Sequence, residues 1–267
     1  MNRPPAVAGR FYPSDAKQLA KQVDEFATGG QEKISALGCV VPHAGYVYSG
    51  HVAGAVYSAL RIPARCILIG PRHFPRGESM AILSKGSWQT PLGAVPIDTA
   101  LAAELTDECP RLREDAVAHE SEHSLEVQLP FLQRMAADFR FVPIVLGTDR
   151  YPVLEDLGRA VAKVVRAQAD KVPIIASSDM NHYENDAITR LKDNRAIERI
   201  LALDPRGLYD TVRSEGITMC GYAATVAMLV AVIELGAKKA TLIRYATSGD
   251  INGELDKVVG YAGITIE

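Results

Sequence analysis

Cysteine is scarce and scattered in this chain of 267 residues: Cys39, Cys66, Cys109 and Cys220 form no C-x-x-C pair, which argues against a zinc knuckle or a disulfide framework. There is no surplus of positive charge either. A net charge of -3 gives no footprint for nucleic acid and no polybasic segment for anionic lipid, so neither is an expected partner. No apolar run approaches the ~20 residues of a membrane span, and the opening stretch Met1 to Gly9 has no apolar core of signal-peptide length. The expected location is the cytoplasm. Walker A, G-x-G-x-x-G and G-x-S-x-G patterns are missing, which removes phosphate-loop nucleotide binding and the nucleophile elbow of a serine hydrolase.

What is present is the balance of a globular protein with a sizeable core: 48% of residues are hydrophobic and 23% charged. Strand patterns at Gly38–Val41, Cys66–Gly70, Phe141–Gly147, Val172–Ala176, Thr241–Tyr245 and Val259–Ile266 alternate with helical patterns. The helices are expected from Ser14–Asp15 to Gly29–Gly30, near Ser49 to Leu60, Asp98 to about Glu104, Val153 to Gln168, Ala187 to Leu203 and Thr218 to Leu235. Ser87–Thr90, with Pro91 and Gly93, reads as part of a hairpin. Pro130 should kink the helix carrying Leu125, Leu129 and Leu132 or lie near its start. Without a repeat, linker or composition break, the reading is a single α/β domain over 1–267. Its central sheet is mostly parallel or mixed and is flanked by helices.

Three strand ends carry a histidine. Gly38-Cys-Val-Val-Pro-His43 stops at a proline that cannot continue a central ladder, and Gly45 allows a sharp exit towards a helix. Ile67-Leu-Ile-Gly-Pro-Arg-His73 and Ile174-Ile-Ala-Ser-Ser-Asp-Met-Asn-His182 repeat the arrangement. Such positions face the crevice at the carboxyl ends of strands, where open α/β sheets bind ligands. The strands ending at His43 and His73, joined by one crossover helix, are expected to be neighbours, so that two imidazoles converge. Imidazole suits iron, zinc and copper, and Cys220, expected at a helix amino terminus that would favour its thiolate, is the preferred third ligand. His182 suits a general acid or base, because an imidazole is the side chain that exchanges protons near neutral pH, and Asp179 could orient it or ligate metal. Glu122 and His123 could reach the same crevice.

Each residue also has an ordinary alternative. His43 and His73 could be structural turn residues, Cys220 a buried helix-start cysteine, Asp179 and Asn181 an Asx turn, and the Glu-rich segment a solvated helix face. His119 is expected to be exposed, His51 to lie on a helix face, and Cys39 and Cys66 to fill the core.

Taken together, Ala6-Val-Ala-Gly-Arg-Phe-Tyr-Pro13, Pro42-His-Ala-Gly-Tyr46, Gly70-Pro-Arg-His73, Glu122-His-Ser-Leu-Glu126, Ser177-Ser-Asp179 with His182, and Cys220-Gly221 resemble the Memo family, of the AmmeMemoRadiSam system protein B type. The resemblance implies a fold like that of the class III extradiol dioxygenases. In those enzymes two histidines and a glutamate hold non-haem iron, and a further histidine serves as acid/base. Carried over, it makes His43 and His73 metal ligands, puts Cys220 where the glutamate would be and His182 at the acid/base position, with Asp179 beside it. Glu122, His123 and Tyr46 would form the surroundings of the ligands. The implied cofactor is a divalent metal, iron first, with copper or zinc as the other candidates because a thiolate is softer than a carboxylate. The implied function is a non-haem iron or copper redox enzyme acting on an unidentified small molecule or peptide, with a functional link to a radical-SAM protein. The alternatives are a non-catalytic module that binds a peptide or protein in the same pocket, and a zinc or cysteine hydrolase.

Overall fold

The structure, a computed structural model, describes residues 2–28 and 33–267. In chain order its elements are β1 (Asn2–Arg3), α1 (Ala16–Phe26), β2 (Gly38–Val41), α2 (Tyr46–Ala59), β3 (Arg65–Pro71), β4 (Met80–Ile82), β5 (Ser87–Thr90) and β6 (Gly93–Pro96). There follow α3 (Thr99–Glu108), β7 (Arg113–Glu114), α4 (Val117–Glu120), α5 (Leu129–Met135), β8 (Arg140–Leu146), α6 (Tyr151–Arg166), β9 (Ile174–Ser177) and β10 (His182–Glu184). The chain closes with α7 (Asp186–Leu201), α8 (Pro205–Ser214), α9 (Tyr222–Glu234), β11 (Ala240–Thr247), α10 (Gly249–Asn252) and β12 (Val258–Ile266).

Local chemistry explains the boundaries. Asp15, Asp98, Asn185 and Asp204 each cap a helix by accepting from a backbone N–H three residues on, a contribution of ~1 kcal/mol apiece. The α1 helix expected to end at Gly29–Gly30 has its C-cap at Ala27, and those two glycines lie outside the described residues. Pro130 sits in the first turn of α5, where its missing N–H costs nothing. No described helix is long and apolar enough to cross a membrane.

Among the described residues a nine-stranded mixed sheet runs in the order β10-β12-β2-β9-β3-β8-β4-β7, with β11 also paired to β12. Its centre, β2-β9-β3-β8, is parallel, and β12 joins antiparallel to β2 on one side and β4 antiparallel to β8 on the other. A small second sheet, β1-β5-β6, contains the expected hairpin. Along the central strands alternate residues divide between two cores. Val40, Ile67, Ile69, Ile174 and Ala176 pack under α6 and α9, and Cys39, Val41, Cys66, Leu68 and Ile175 pack under α1, α2 and α5. This is the alternation of a sheet covered by helices on both faces.

One topological expectation fails. β2 and β3 are not neighbours, because β9 lies between them and pairs with both. The crossover through α2 skips one strand position, and the gap is filled by a strand from more than 100 residues later in the chain. The burial of His119 is a second correction: it is fully enclosed, edge-on to Trp88 with ring centroids 5.7 Å apart. The stretch 119–128 is not a solvated helix face: apart from the exposed Glu120 and Ser121 it turns into the interior, with Glu122 and Glu126 buried too.

Candidate metal centre

The strand order sets up the site. β2 ends at Pro42-His43, β9 at Ser177-Ser178-Asp179 and β3 at Pro71-Arg72-His73, all at the carboxyl edge of the parallel centre. Between the two histidine-bearing strands stands one that ends in a small serine, so the imidazoles reach over it to within 5.2 Å, centroid to centroid. His123, from the turn between α4 and α5, stacks on His73 at 4.4 Å and stands edge-on to His43 at 5.6 Å. One ring nitrogen from each of His43, His73 and His123 falls within 4.8 Å of the others.

Hydrogen bonding fixes which nitrogens are available. The Ser177 hydroxyl donates to the Ser124 carbonyl at 2.6 Å and takes the Gln128 amide at 2.9 Å, so towards His43 Nδ1, 3.0 Å away, it can act only as acceptor. His43 therefore carries its proton on Nδ1 and presents a bare Nε2. Glu122 does the same for His73: one carboxylate oxygen takes the His73 backbone N–H at 2.6 Å and the other takes Nδ1–H at 2.8 Å. Burial alone would push the Glu122 carboxyl up, but the hydrogen bonds it takes from His73, with the His73 and His123 rings close by, outweigh it and hold it at about 2. It is thus an anion, and such carboxylate-to-imidazole contacts orient metal ligands and raise their basicity. Burial pushes His43 well below the ordinary histidine range and His123 down to about 4, so both are neutral, as metal coordination requires.

Cys220 borders this set from the side of α9. Its Sγ lies 3.2 Å from His43 Nε2 and 3.7 Å from the Asp179 carbonyl. It does not start the helix as expected: Gly221 is the N-cap, and Cys220 precedes it. A Cβ on Gly221 would stand within 2.5 Å of Ser178 Cβ and closer still to the Ser177 carbonyl, so only glycine lets the Cys220 segment approach the end of β9. Burial, with the Asp179 carboxylate behind it, pushes the thiol up. That is opposite to the effect expected of a helix amino terminus, and a bound cation would oppose it.

Asp179 is buried, and its Oδ1 takes the backbone N–H groups of His43 at 2.7 Å and Ala44 at 3.2 Å. It therefore fastens the His43 turn, while burial pushes its carboxyl up. The group that orients His182 is Thr218, whose carbonyl accepts from Nδ1 at 2.9 Å and whose hydroxyl accepts from the His182 backbone N–H at 2.7 Å. Partly exposed His182 is left with a bare Nε2 facing outward from that bond. Tyr46, expected around the ligands, sends its hydroxyl to the Val127 carbonyl at 2.7 Å and supports the turn rather than an imidazole.

Sequence reasoning placed His123 and Glu122 at the margin, where geometry puts them at the centre. It gave Ser124, Gln128 and Thr218 no role. Gln128 had one visible signal, a polar residue between Val127 and Leu129 in an apolar run; buried, it donates to the Pro42 carbonyl and accepts from Tyr57. The donor set fits a transition metal: neutral imidazoles with bare nitrogens and a flanking sulfur, with no hard carboxylate cage.

Comparison with known proteins identifies the family of the chain. The family described as Memo, Memo-like protein, matches residues 3–265. A MEMO1 family protein of Methanopyrus kandleri is 40% identical over 99% of this chain and 98% of its own length. Those of Methanosarcina barkeri (42%; 99% and 100%) and Saccharolobus solfataricus (41%; 98% and 98%) are equally similar. The crystal structure of an uncharacterized protein from Escherichia coli K12 shares the fold at 14% identity, with a TM-score of 0.50 over 79% of this chain and 89% of that one. Matched over residues 3–265 by the family and over 98–99% of its length by these relatives, the chain belongs to the Memo family.

Proposed function

We propose that this protein is a metal-dependent redox enzyme, with non-haem iron or copper held by His43, His73 and His123 and bordered by Cys220 as a further ligand. The observation that carries this reading is the commitment of Nδ1 in both His43 and His73 to a fixed acceptor, which leaves two bare Nε2 atoms beside a third imidazole. A metal held by His43, His73 and His123 would supply Lewis acidity and electron exchange to a substrate in the crevice. The chain's own residues do the rest. Glu122 and Ser177 hold the imidazoles, Asp179 holds the His43 turn, and His182 Nε2 accepts or returns a proton of the substrate. On this reading a small molecule or peptide enters the crevice, and the partner implied by the family resemblance is a radical-SAM protein.

A zinc hydrolase is the second reading, because three histidines with an open fourth position are also the donor set of hydrolytic zinc. Purification under reducing, anaerobic conditions followed by elemental analysis and electron paramagnetic resonance separates the two. Redox-active iron or copper, lost in His43→Ala and His123→Ala, supports the proposal; zinc alone transfers support to the hydrolase, and a metal-free chain that takes up none overturns both.

A further inference from the structure

The amino-terminal arm, whose strand β1 pairs with β5, is anchored by buried contacts. Arg3 is 1% exposed, an unusual state for an arginine, and its guanidinium carbon lies 4.0 Å from the Trp88 ring centroid. Its fork grips one turn: Nε donates to the His119 carbonyl at 2.7 Å, Nη2 to the Glu122 carbonyl at 2.5 Å and Nη1 to Glu126 Oε2 at 2.6 Å, with Nη1 also 3.3 Å from the Pro4 carbonyl. The Glu122 carbonyl belongs to the peptide that joins Glu122 to His123. Glu126 in turn takes the N–H groups of Ala6 and Val7 and the Tyr12 hydroxyl. Phe11 then lies against His123, ring centroids 4.8 Å apart, and its carbonyl takes the Tyr46 N–H at the start of α2, just beyond His43.

We propose that the arm, residues 2–13, is a built part of the metal centre and that Arg3 is a positioning residue for its histidines. The inference rests on the reading that this cluster holds a metal. Glu122 and His123 sit on the connection between α4 and α5, whose regular structure is a single 3-10 turn at Glu126–Gln128. Arg3 fastens the stretch 119–126 at its start, its middle and its end, and so sets where Glu122 meets His73 and where His123 faces His43. Only arginine presents several donors in a rigid plane; lysine offers the same charge from a single point and cannot reach three acceptors in that geometry.

The test is cobalt(II) titration of the full chain, followed by the visible absorption of the bound ion and by competition with a chelator. Arg3→Lys keeps the charge opposite Glu126 but loses the fork, and is expected to weaken cobalt affinity ~10- to 100-fold, the size typical of lost support around a ligand, with altered ligand-field bands. Arg3→Met with Glu126→Gln leaves no lone buried charge and should show the same loss if Arg3→Lys folds poorly. Arg134→Lys, in the exposed pair with Asp24, is the control and should bind as wild type. A merely structural arm would lower the melting temperature without changing the affinity or spectrum of the folded protein. Wild-type protein that fails to bind cobalt overturns the metal reading and this inference with it; unchanged affinity and spectrum in both Arg3 variants overturns this inference alone.

Discussion

Ser177 Oγ stands 3.0 Å from His43 Nδ1 with its own proton committed to the Ser124 carbonyl, so a side chain that touches no ligand position decides which histidine nitrogen is free. Replacing Ser177 with Ala should leave Nδ1–H without an acceptor in a buried site and release the imidazole from its single tautomer. Metal affinity is expected to fall ~10- to 100-fold, read by titration with iron(II) or cobalt(II). Affinity equal to wild type would show that His43 does not depend on this bond.

Cys220 lies beside the imidazoles but is not within the mutual 4.8 Å set. Cys220→Ser should therefore retain metal at reduced affinity, abolish any sulfur-to-metal charge-transfer band and leave the chain folded by circular dichroism. Unchanged metal content and spectrum would remove the sulfur from the site.

His182 is oriented by Thr218 and stands outside the group formed by His43, His73 and His123, so its loss should separate binding from proton transfer. His182→Gln is expected to keep full metal content and to abolish metal-dependent turnover. A drop in metal content on this substitution would make His182 a ligand instead.

Asp193 is enclosed beneath the His182 strand, where its carboxylate takes the Asn181 N–H at 2.8 Å and the Tyr245 hydroxyl at 2.7 Å. Burial pushes its carboxyl up to about 7, against an unfolded value near ~4. The folded chain thus holds this proton more tightly than the unfolded chain does. The resulting stability is fully present below about pH 4 and is lost as pH rises through about 7, with a ceiling of ~4 kcal/mol. Asp193→Asn should flatten that part of the stability profile in urea unfolding at pH 5 and pH 8. A profile unchanged by the substitution would assign the slope to other groups.

Gly158 is where α6 crosses α9: a Cβ there would stand 2.6 Å from both the Ala227 carbonyl and Val230 Cβ. Alanine favours a helix interior by ~1 kcal/mol, but overpacking a close crossing costs ~1–3 kcal/mol. Gly158→Ala is expected to destabilise the chain in chemical denaturation, and net stabilisation would mean that the helices separate at little cost.

The sequence alone was enough for the longer elements and for part of the site. Hydrophobic periodicity, the acidic and amide N-caps and Pro42 at a strand end are local signals, so the α/β alternation, the strand-end histidines and the buried Cys39 and Cys66 were legible residue by residue. The family likeness was equally legible, since its motifs are short runs in a fixed order. Only the tertiary structure decided that β9 lies between β2 and β3, that the turn 119–128 folds inward with His119, Glu122 and Glu126, and that Arg3 reaches across the chain to fasten it. These are contacts between segments more than 100 residues apart, or between a buried charge and the partners that compensate it. Strand order depends on which packing buries the most apolar surface, and a polar residue may enter the interior only where distant donors and acceptors meet it; neither condition is written in any local stretch of residues.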